Sequence, residues 1–415
     1  RQMQRHPGHR NALSSVAIVP LLPAQTHTDA RVLLATRAVR GFVDGLISVA
    51  IAVLLPLLGF STLQVGVTVT GMMLGSATVT LLVGTHGHAI PRRTLLFAGA
   101  AAMIGSGLAF GAFTQFAVLL VVGVVGTLNP TAGDVSMFLP LEQSLLAATT
   151  PAKSRTALYA RYAFAGGLAG ALGSQAIAIP EAIARHTSVS QATALRACFV
   201  LYAMAGVAVW LMYRSLTQES ETGGSVATPL GPSRAIVYRL AALFALDAFG
   251  GGFVVQSLLV LWLFQRFDLS VSAAGTVLLI TGICSAASGF VAAWLAQRIG
   301  LVRTMVFTHL PANGFLIAAA FMPSMSLALG MLVLRSLLSQ MDVPARTSYV
   351  MAVVSPPERA AAASVTNVPR SLAAAYFAVS CVFASRVCRK VKSTINGVTA
   401  CRILVASPNI PAVSL

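Results

Sequence analysis

Ionisable side chains inside long apolar stretches are the residues of this chain best placed to do chemistry. Asp44 and Asp247 each lie near the start of such a stretch, 203 positions apart. A carboxylate in hydrocarbon costs about 2.5–3.5 kcal/mol on insertion scales, so it persists where it has a partner, water or a proton. Because desolvation favours the protonated form, either aspartate can bind and release a proton. The alternative is a structural ion pair, for which Arg40 stands one helical turn before Asp44.

A second set of charges follows nearly the same repeat. Glu142 and Arg346 lie 204 positions apart and carry opposite charges. They can form a gate, that is, a pair that closes between two halves of the molecule. Alternatively, each is paired within its own half and fixes a helix–loop corner, and Arg161 and Arg370 compete as partners of Glu142. The sequence leaves the gate and the corner equally open.

Two further charges stand in apolar surroundings. Asp134 follows Pro130 and Gly133, which open a helix and free backbone carbonyls beside a cavity. Arg335 lies in the body of a later apolar stretch. It can neutralise an anionic ligand or pair with Asp342, and we favour the structural pair.

The composition places the apolar stretches in lipid. Of 415 residues, 56% are hydrophobic and 9% are charged, and the mean hydropathy is +0.81. A soluble protein carries roughly 25% charged residues, so this chain has too few polar groups to cover a surface in water. In hydrocarbon the backbone groups must be hydrogen-bonded internally, and frequent Ala and Gly favour helices over a barrel. We therefore predict an all-α integral membrane protein.

The net charge of +17 reflects the distribution of basic residues among the loops. Arg and Lys fall in alternate loops between the apolar stretches, as they do in cytoplasmic loops of membrane proteins. This pattern places the N-terminus in the cytoplasm and argues against a nucleic-acid partner. The five cysteines form no CxxC pair and the histidines lack the spacing of metal ligands, so we expect no metal and no cofactor.

A polar interval rich in Gly, Pro and Ser divides the two repeats. We predict five segments: residues 1–30 as a basic N-terminal extension, 31–215 as an N-terminal helical bundle, 216–234 as a cytoplasmic linker, 235–385 as an incomplete C-terminal helical bundle and 386–415 as an atypical basic tail. The stretch 371–385 gives a helix of roughly 22 Å, against a hydrocarbon core of about 30 Å. We therefore expect the last helix or two to be short, irregular or missing, through a frameshifted end or a re-entrant helix.

Two helical halves joined by a polar linker resemble the major facilitator superfamily. The most specific part runs from Met341 to Ser364 and is similar to the tenth helix and following loop of prokaryotic members. The family's loop motif, Gly-x-x-x-Asp-Arg-x-Gly-Arg-Arg, is matched at half of its specified positions, and His88 stands where the motif has Asp. The matching residues are Gly84, Arg92 and Arg93, with Arg298 and Gly300 in the second half. The resemblance implies two pseudo-symmetric six-helix bundles around a central cavity.

This resemblance also implies a secondary transporter whose two bundles rock around a midplane site in the lipid bilayer. We expect a proton-coupled antiporter that exports a small molecule as a monomer in a bacterial inner membrane. Uptake of an organic anion is the alternative, because Arg37, Arg40 and Arg335 suit an anion as well as the aspartates suit a cation. A non-transporting relative is the third possibility, given the half-kept motif. We do not expect an enzyme, and no phosphate-binding loop indicates direct use of ATP.

Overall fold

The computed structural model describes residues 28–128, 136–217, 228–251, 266–267, 271–369 and 372–373. Asp134, Arg370, the residues before 28 and the tail after 373 lie outside these ranges. The predictions made for them, including the short or missing last helix, stay predictions.

Within the described ranges the chain is built from α-helices joined by turns and short 3-10 helices. We number the helices in chain order: α1 (Thr28–Leu57), α2 (Thr62–His86), α3 (Arg92–Ala112), α4 (Phe116–Val125), α5 (Phe138–Ala148), α6 (Ala152–Gln175), α7 (Ala178–His186), α8 (Gln191–Arg214), α9 (Arg234–Gly251), α10 (Val271–Ile299), α11 (Leu301–Phe321), α12 (Met325–Ser339), α13 (Asp342–Val353) and α14 (359–369). Eight helical stretches in these ranges are long and apolar enough to cross a membrane. The predicted all-α architecture is confirmed.

Local sequence signals explain several helix ends. Ser61 accepts the backbone N–H of Gln64, and the Gln64 side chain accepts the N–H of Ser61, which starts α2. Gly300 has a φ of 89° between α10 and α11, a left-handed conformation that suits glycine. This conformation of Gly300 allows α11 to begin directly after α10. Just before the turn, the Arg298 guanidinium lies 4.9 Å from the centre of the Trp294 ring.

We refer to residues 28–217 as the N-terminal half and to residues 228–373 as the C-terminal half. The N-terminal half contains two buried apolar clusters, one around Phe138 and one around Phe199. The first cluster is completed by Met351 from the C-terminal half. The two halves therefore share part of one hydrophobic core.

Helices α1 and α6 pack backbone against backbone along a row of glycines. A Cβ on Gly45 would lie 2.0 Å from the carbonyl oxygen of Gly170, and a Cβ on Gly173 would lie 1.8 Å from that of Phe42. Small residues at such positions let membrane helices approach closely. The glycine-rich stretch of α6 therefore serves to hold α1.

Both ends of the polar linker are held by buried carboxylates. At the first end, Asp29 accepts hydrogen bonds from the backbone N–H and the hydroxyl of Thr217, at 3.3 and 2.7 Å. At the second end, Glu358 accepts the backbone N–H groups of Gly231 and Ser233, at 2.8 and 3.1 Å. Each end of the linker is thus attached to its own half.

Glu358→Gln is expected to lower the melting temperature by ~2–4 °C at neutral pH, and the effect should fade in acid. Burial raises the pKa of Glu358, but hydrogen bonds from Ser233, Gly231 and Ser355 outweigh it and hold the pKa below its usual range. A carboxylate of this kind stabilises the fold above its unfolded pKa of about 4.3, and the contribution is lost as the pH falls through the lower folded value.

The check is the difference in melting temperature between wild type and Glu358→Gln, measured from neutral pH into acid. Glu181→Gln, at an exposed carboxylate of α7, serves as the matched control. A wild-type advantage that stays constant from neutral pH through the unfolded pKa and below would contradict the assigned role.

Candidate functional site

Glu142 is the centre of a buried hydrogen-bond cluster between α1, α5, α6 and α8. One oxygen of its carboxylate is bound by the Arg40 guanidinium and the Tyr162 hydroxyl. The hydroxyls of Tyr213 and Thr36 donate to the other oxygen, at 2.6 and 3.0 Å. Four donors use the ordinary acceptor capacity of one carboxylate. Glu142 is therefore neutralised and held inside the N-terminal half.

Arg40 is paired across helices rather than along its own helix. Its ion-pair partner, Glu142, is 102 positions away, whereas Asp44 is its neighbour one turn along α1. The Arg40 guanidinium also lies 4.2 Å from the centre of the Phe138 ring. The local pair suggested by the spacing of Arg40 and Asp44 is not formed as a direct contact.

Among the described residues, Arg40 is the basic partner of Glu142 in this conformation. Its carboxylate is bound by Arg40 and not by Arg346. Arg161 donates from Nη1 to the backbone carbonyl of Ala157, at 2.9 Å. The gate pair is therefore not formed here, and Glu142 is paired within its own half.

Asp44 is a buried carboxylate that receives no hydrogen bond or ion pair from the described residues. The residue is 7% exposed. Arg37 and Arg40 on α1 and the Tyr202 hydroxyl on α8 are close enough to act on it electrostatically. The Tyr202 hydroxyl instead lies 3.2 Å from the hydroxyl of Thr127.

Asp247 on α9 is paired with a histidine. The Nε2 atom of His309 on α11 lies 2.9 Å from Oδ1 of Asp247. These side chains are 35% exposed for His309 and 40% exposed for Asp247. Asp342 and Arg346 on α13 are close enough to His309 to act on it electrostatically. The second half therefore has a half-exposed imidazole–carboxylate pair at Asp247, 203 positions after Asp44.

Each half holds an arginine in contact with a phenylalanine ring and an acidic side chain, but the three kinds of residue occupy permuted positions. Arg346 donates from Nη1 to Asp342 at 2.8 Å, and its guanidinium lies 5.3 Å from the centre of the Phe244 ring. At a spacing of 204, the counterparts of Phe244, Asp342 and Arg346 are Arg40, Phe138 and Glu142. We call Arg40, Phe138 and Glu142 the N-half triad, and Phe244, Asp342 and Arg346 the C-half triad.

A second contact repeats at the same spacing. Nε of Arg155 donates to the carbonyl of Ala147 at 3.1 Å, and Nε of Arg359 donates to the carbonyl of Met351 at 3.2 Å. Donors and acceptors are both related by 204 positions. The duplication read from charge spacing therefore extends to contacts in three dimensions.

Two half-buried arginines have no hydrogen bond or ion pair with the described residues. Arg37 on α1 and Arg335 on α12 each carry an Nε that is buried without an acceptor. Arg335 makes no ion pair with Asp342, which is bound by Arg346. The structural pair that we favoured for Arg335 is therefore not formed in this structure.

The halves meet along a polar seam at the end of the molecule where the basic loops lie. Thr156 Oγ1 donates to Ser348 Oγ at 2.9 Å, and Asn367 Nδ2 lies 3.4 Å from Gln143 Oε1. We call these four residues the seam. Its hydrogen bonds join uncharged groups, so it can open without leaving a charge unpaired.

The kept part of the loop motif lies beside the seam. A Cβ on Gly84 would lie 1.9 Å from Ser364 Oγ, so α2 approaches α14 very closely at this point. Arg92 is buried at the start of α3, and Arg93 donates from Nη2 to the carbonyl of Arg214 at 2.8 Å. These residues tie helix ends together at the basic-loop end.

Sequence reasoning missed partners that arrive from other helices. Tyr162 and Tyr213 carry no charge that would mark them, although both bind Glu142. A position-by-position comparison of the repeats could have indicated the role of His309. At the 204-position spacing its counterpart is Gly105, so the histidine is specific to the second half.

Comparison with protein families and known sequences agrees with this architecture. The family model described as Major Facilitator Superfamily matches residues 17–378. An uncharacterized membrane protein of Saccharomyces cerevisiae is 23% identical over 385 residues, which cover 83% of this chain and 85% of that protein.

Solved structures of transporters share the fold. A human organic anion transporter is 17% identical with a TM-score of 0.62, covering 86% of this chain and 93% of that one. A bacterial homologue of the iron transporter ferroportin, in an outward-facing state, is 14% identical with a TM-score of 0.69, covering 85% and 92%. The fucose:proton symporter of E. coli is 13% identical with a TM-score of 0.65, covering 85% and 92%. The family model spans most of the sequence, and the chain therefore belongs to the major facilitator superfamily.

Proposed function

We propose that this chain moves a small molecule across the membrane by alternating access, driven by protons that bind to Asp44. Transport of a small molecule is the function that its family membership supports. The proton coupling rests on one observation about the carboxylates in the membrane helices. Glu142 and Asp342 are bound by arginines and Asp247 by a histidine, whereas Asp44 has no direct partner among the described residues.

The surroundings of Asp44 explain why a proton would bind there. An ionised carboxylate without a partner is costly in a membrane interior. Protonation removes that cost, and release of the proton restores a negative charge beside Arg37 and Arg40. Asp44 can therefore change the charge of the N-terminal half during a transport cycle.

The distribution of strong and weak contacts supports alternating access. Within the N-terminal half, breaking the buried Arg40–Glu142 pair would cost about 3–5 kcal/mol. Between the halves, each neutral hydrogen bond of the seam contributes about 1 kcal/mol. Separation of the halves at the seam therefore breaks these weak hydrogen bonds and the apolar contact of Met351, and leaves the buried ion pair of the N-terminal half intact.

Orientation and direction belong to the same proposal. The basic loops support a cytoplasmic seam and a cytoplasmic N-terminus in a bacterial inner membrane, and in that orientation a closed seam corresponds to an outward-facing state. Export by proton antiport stays a prediction from the sequence. Uptake of an organic anion is the second candidate. Two observations favour it: Arg37 has no ion pair with the described residues, and the fold is like that of a human organic anion transporter.

The test is flux in proteoliposomes under an imposed pH gradient, with a panel of cationic, neutral and anionic compounds. We expect Asp44→Asn to abolish gradient-driven accumulation but to keep exchange of labelled for unlabelled substrate. Asparagine fills the same space as a protonated aspartate but carries no exchangeable acid proton. Glu181→Gln, at an exposed carboxylate, should behave like wild type.

Two outcomes would contradict the proposal. Full accumulation in Asp44→Asn together with its loss in Asp247→Asn would assign the proton to the second half. Absence of flux in wild type for every compound of the panel would favour a non-transporting protein.

A further inference from the structure

Arg37 is a positive charge of the N-terminal half with no direct partner among the described residues. Its guanidinium carbon lies 5.4 Å from the centre of the Tyr162 ring, and its Nε is buried without an acceptor. The side chain crosses Gly166, where a Cβ would lie 2.2 Å from that Nε. Intramembrane arginines face partners or water and mark substrate pathways. Arg37 therefore has donors available for a ligand.

Four charges on α1 and α5 balance while Asp44 is ionised. Arg40 and Glu142 neutralise each other in direct contact. Arg37 and Asp44, about two turns apart on α1, influence each other electrostatically without a hydrogen bond. The groups that face Asp44 are Arg37 and Arg40 from its own helix and the Tyr202 hydroxyl from α8. Protonation of Asp44 therefore leaves the charge of Arg37 unbalanced.

We propose that Arg37 binds the carboxylate of a small organic anion, and that this anion is carried together with one proton on Asp44. The inference rests on the proposed transport function and names the substrate class of the same site. Arginine suits the ligand because its planar guanidinium binds a carboxylate through two parallel hydrogen bonds. The proton moves from solution onto an oxygen of Asp44 as the anion reaches Arg37. A monocarboxylate therefore crosses with no net charge.

The test measures both binding and flux with defined probes. Lactate, benzoate and succinate are the anions, benzamide is the neutral probe and tetraethylammonium is the cation. Binding is followed by the melting temperature of the purified chain, and flux is followed in proteoliposomes. We expect Arg37→Gln to weaken monocarboxylate binding about 10- to 100-fold, because charge-assisted hydrogen bonds are lost. Arg31→Gln removes an exposed arginine from the same helix and should leave binding unchanged.

Substitutions at two adjacent glycines test the position of the Arg37 side chain without changing its charge. Gly166→Ala places a methyl group against the flexible end of Arg37, whereas a Cβ on Gly167 would have nothing within 4 Å. We expect Gly166→Ala to raise the KM for a monocarboxylate about tenfold and Gly167→Ala to leave it unchanged. Monocarboxylate flux should not respond to a membrane potential set with valinomycin and potassium.

The outcomes distinguish this inference from the proposed function. Carboxylate binding without flux would overturn transport but keep the anion site. Flux of benzamide or tetraethylammonium with no carboxylate binding would keep transport but overturn the anion site. Carboxylate binding that is lost in Arg335→Gln and kept in Arg37→Gln would move the site to α12 and overturn the assignment to Arg37. An unchanged melting temperature of ligand-free Arg37→Gln shows that a loss of binding is not a loss of folding.

Discussion

Replacing Glu142 by alanine is expected to lower the free energy of unfolding by about 3–5 kcal/mol. The substitution leaves the buried Arg40 guanidinium without its carboxylate. It also removes the acceptor of three hydroxyl groups, those of Thr36, Tyr162 and Tyr213. The membrane interior offers little water to replace these bonds, so the full cost is felt. The measurement is unfolding of the purified protein in detergent, followed by tryptophan fluorescence.

The controls separate this cluster from ordinary ion pairs. Glu181→Ala breaks an exposed pair with Arg185 and should cost less than about 1 kcal/mol. Arg40→Met combined with Glu142→Leu removes both charges and should recover part of the loss. Recovery stays incomplete because the hydroxyls of Tyr162 and Tyr213 lose their acceptor, whereas Thr36 can still donate to the carbonyl of Leu33. Equal stability of Glu142→Ala and Glu181→Ala would show that the cluster does not hold the N-terminal half together.

Gly45→Ala is expected to cost about 3 kcal/mol, which is large for one added methyl group. The new Cβ would lie 2.0 Å from the carbonyl oxygen of Gly170 and 2.8 Å from its carbonyl carbon. These are backbone atoms of α6, so they cannot rotate away as a side chain would. Helix α1 must therefore move away from α6, which also stretches the 3.2 Å hydrogen bond from Ser174 to the Gly45 carbonyl.

Gly167→Ala is the matched control for this substitution. It lies on α6 beside the contact row, with nothing within 4 Å of an added Cβ. Alanine is preferred to glycine in a helix by up to about 1 kcal/mol, so this variant should be neutral or slightly stabilised. The same unfolding measurement applies. A Gly45→Ala protein as stable as Gly167→Ala would contradict the close packing of α1 on α6.

The membrane architecture and the duplication could be predicted because both appear as regular patterns along the chain. Apolar stretches indicate burial in lipid whatever the helices pack against. Asp44, Asp247 and Glu142 stood out because a charge inside such a stretch is costly and needs a reason. The 204-position spacing of Glu142 and Arg346 indicated a duplication, and Arg155 and Arg359 make equivalent hydrogen bonds at the same spacing.

The partners of these charges could not be predicted, because they depend on how the helices pack. Local spacing suggested Arg40 with Asp44, but Arg40 reaches Glu142 on α5, where hydroxyls from α6 and α8 also converge. His309 gained its partner Asp247 in the same way, from a helix distant in the sequence. The triads could not be predicted, because the contacts of Arg40 with Phe138 and of Arg346 with Phe244 depend on helix packing.

The two triads also limit how the repeats can exchange residues over evolutionary time. Phe244→Arg, which copies the first repeat into the second at one position, adds an arginine beside Arg346 and adds no carboxylate to the C-half triad. Asp342→Phe alone removes the carboxylate that pairs with Arg346 within the triad. A single substitution of this kind therefore yields an intermediate protein whose triad has unbalanced charge. Gene conversion between the repeats would be tolerated only if one tract carried all three positions, and Phe244 and Asp342 lie 98 positions apart. The permutation thus acts as a barrier that keeps the duplicated halves from becoming alike again.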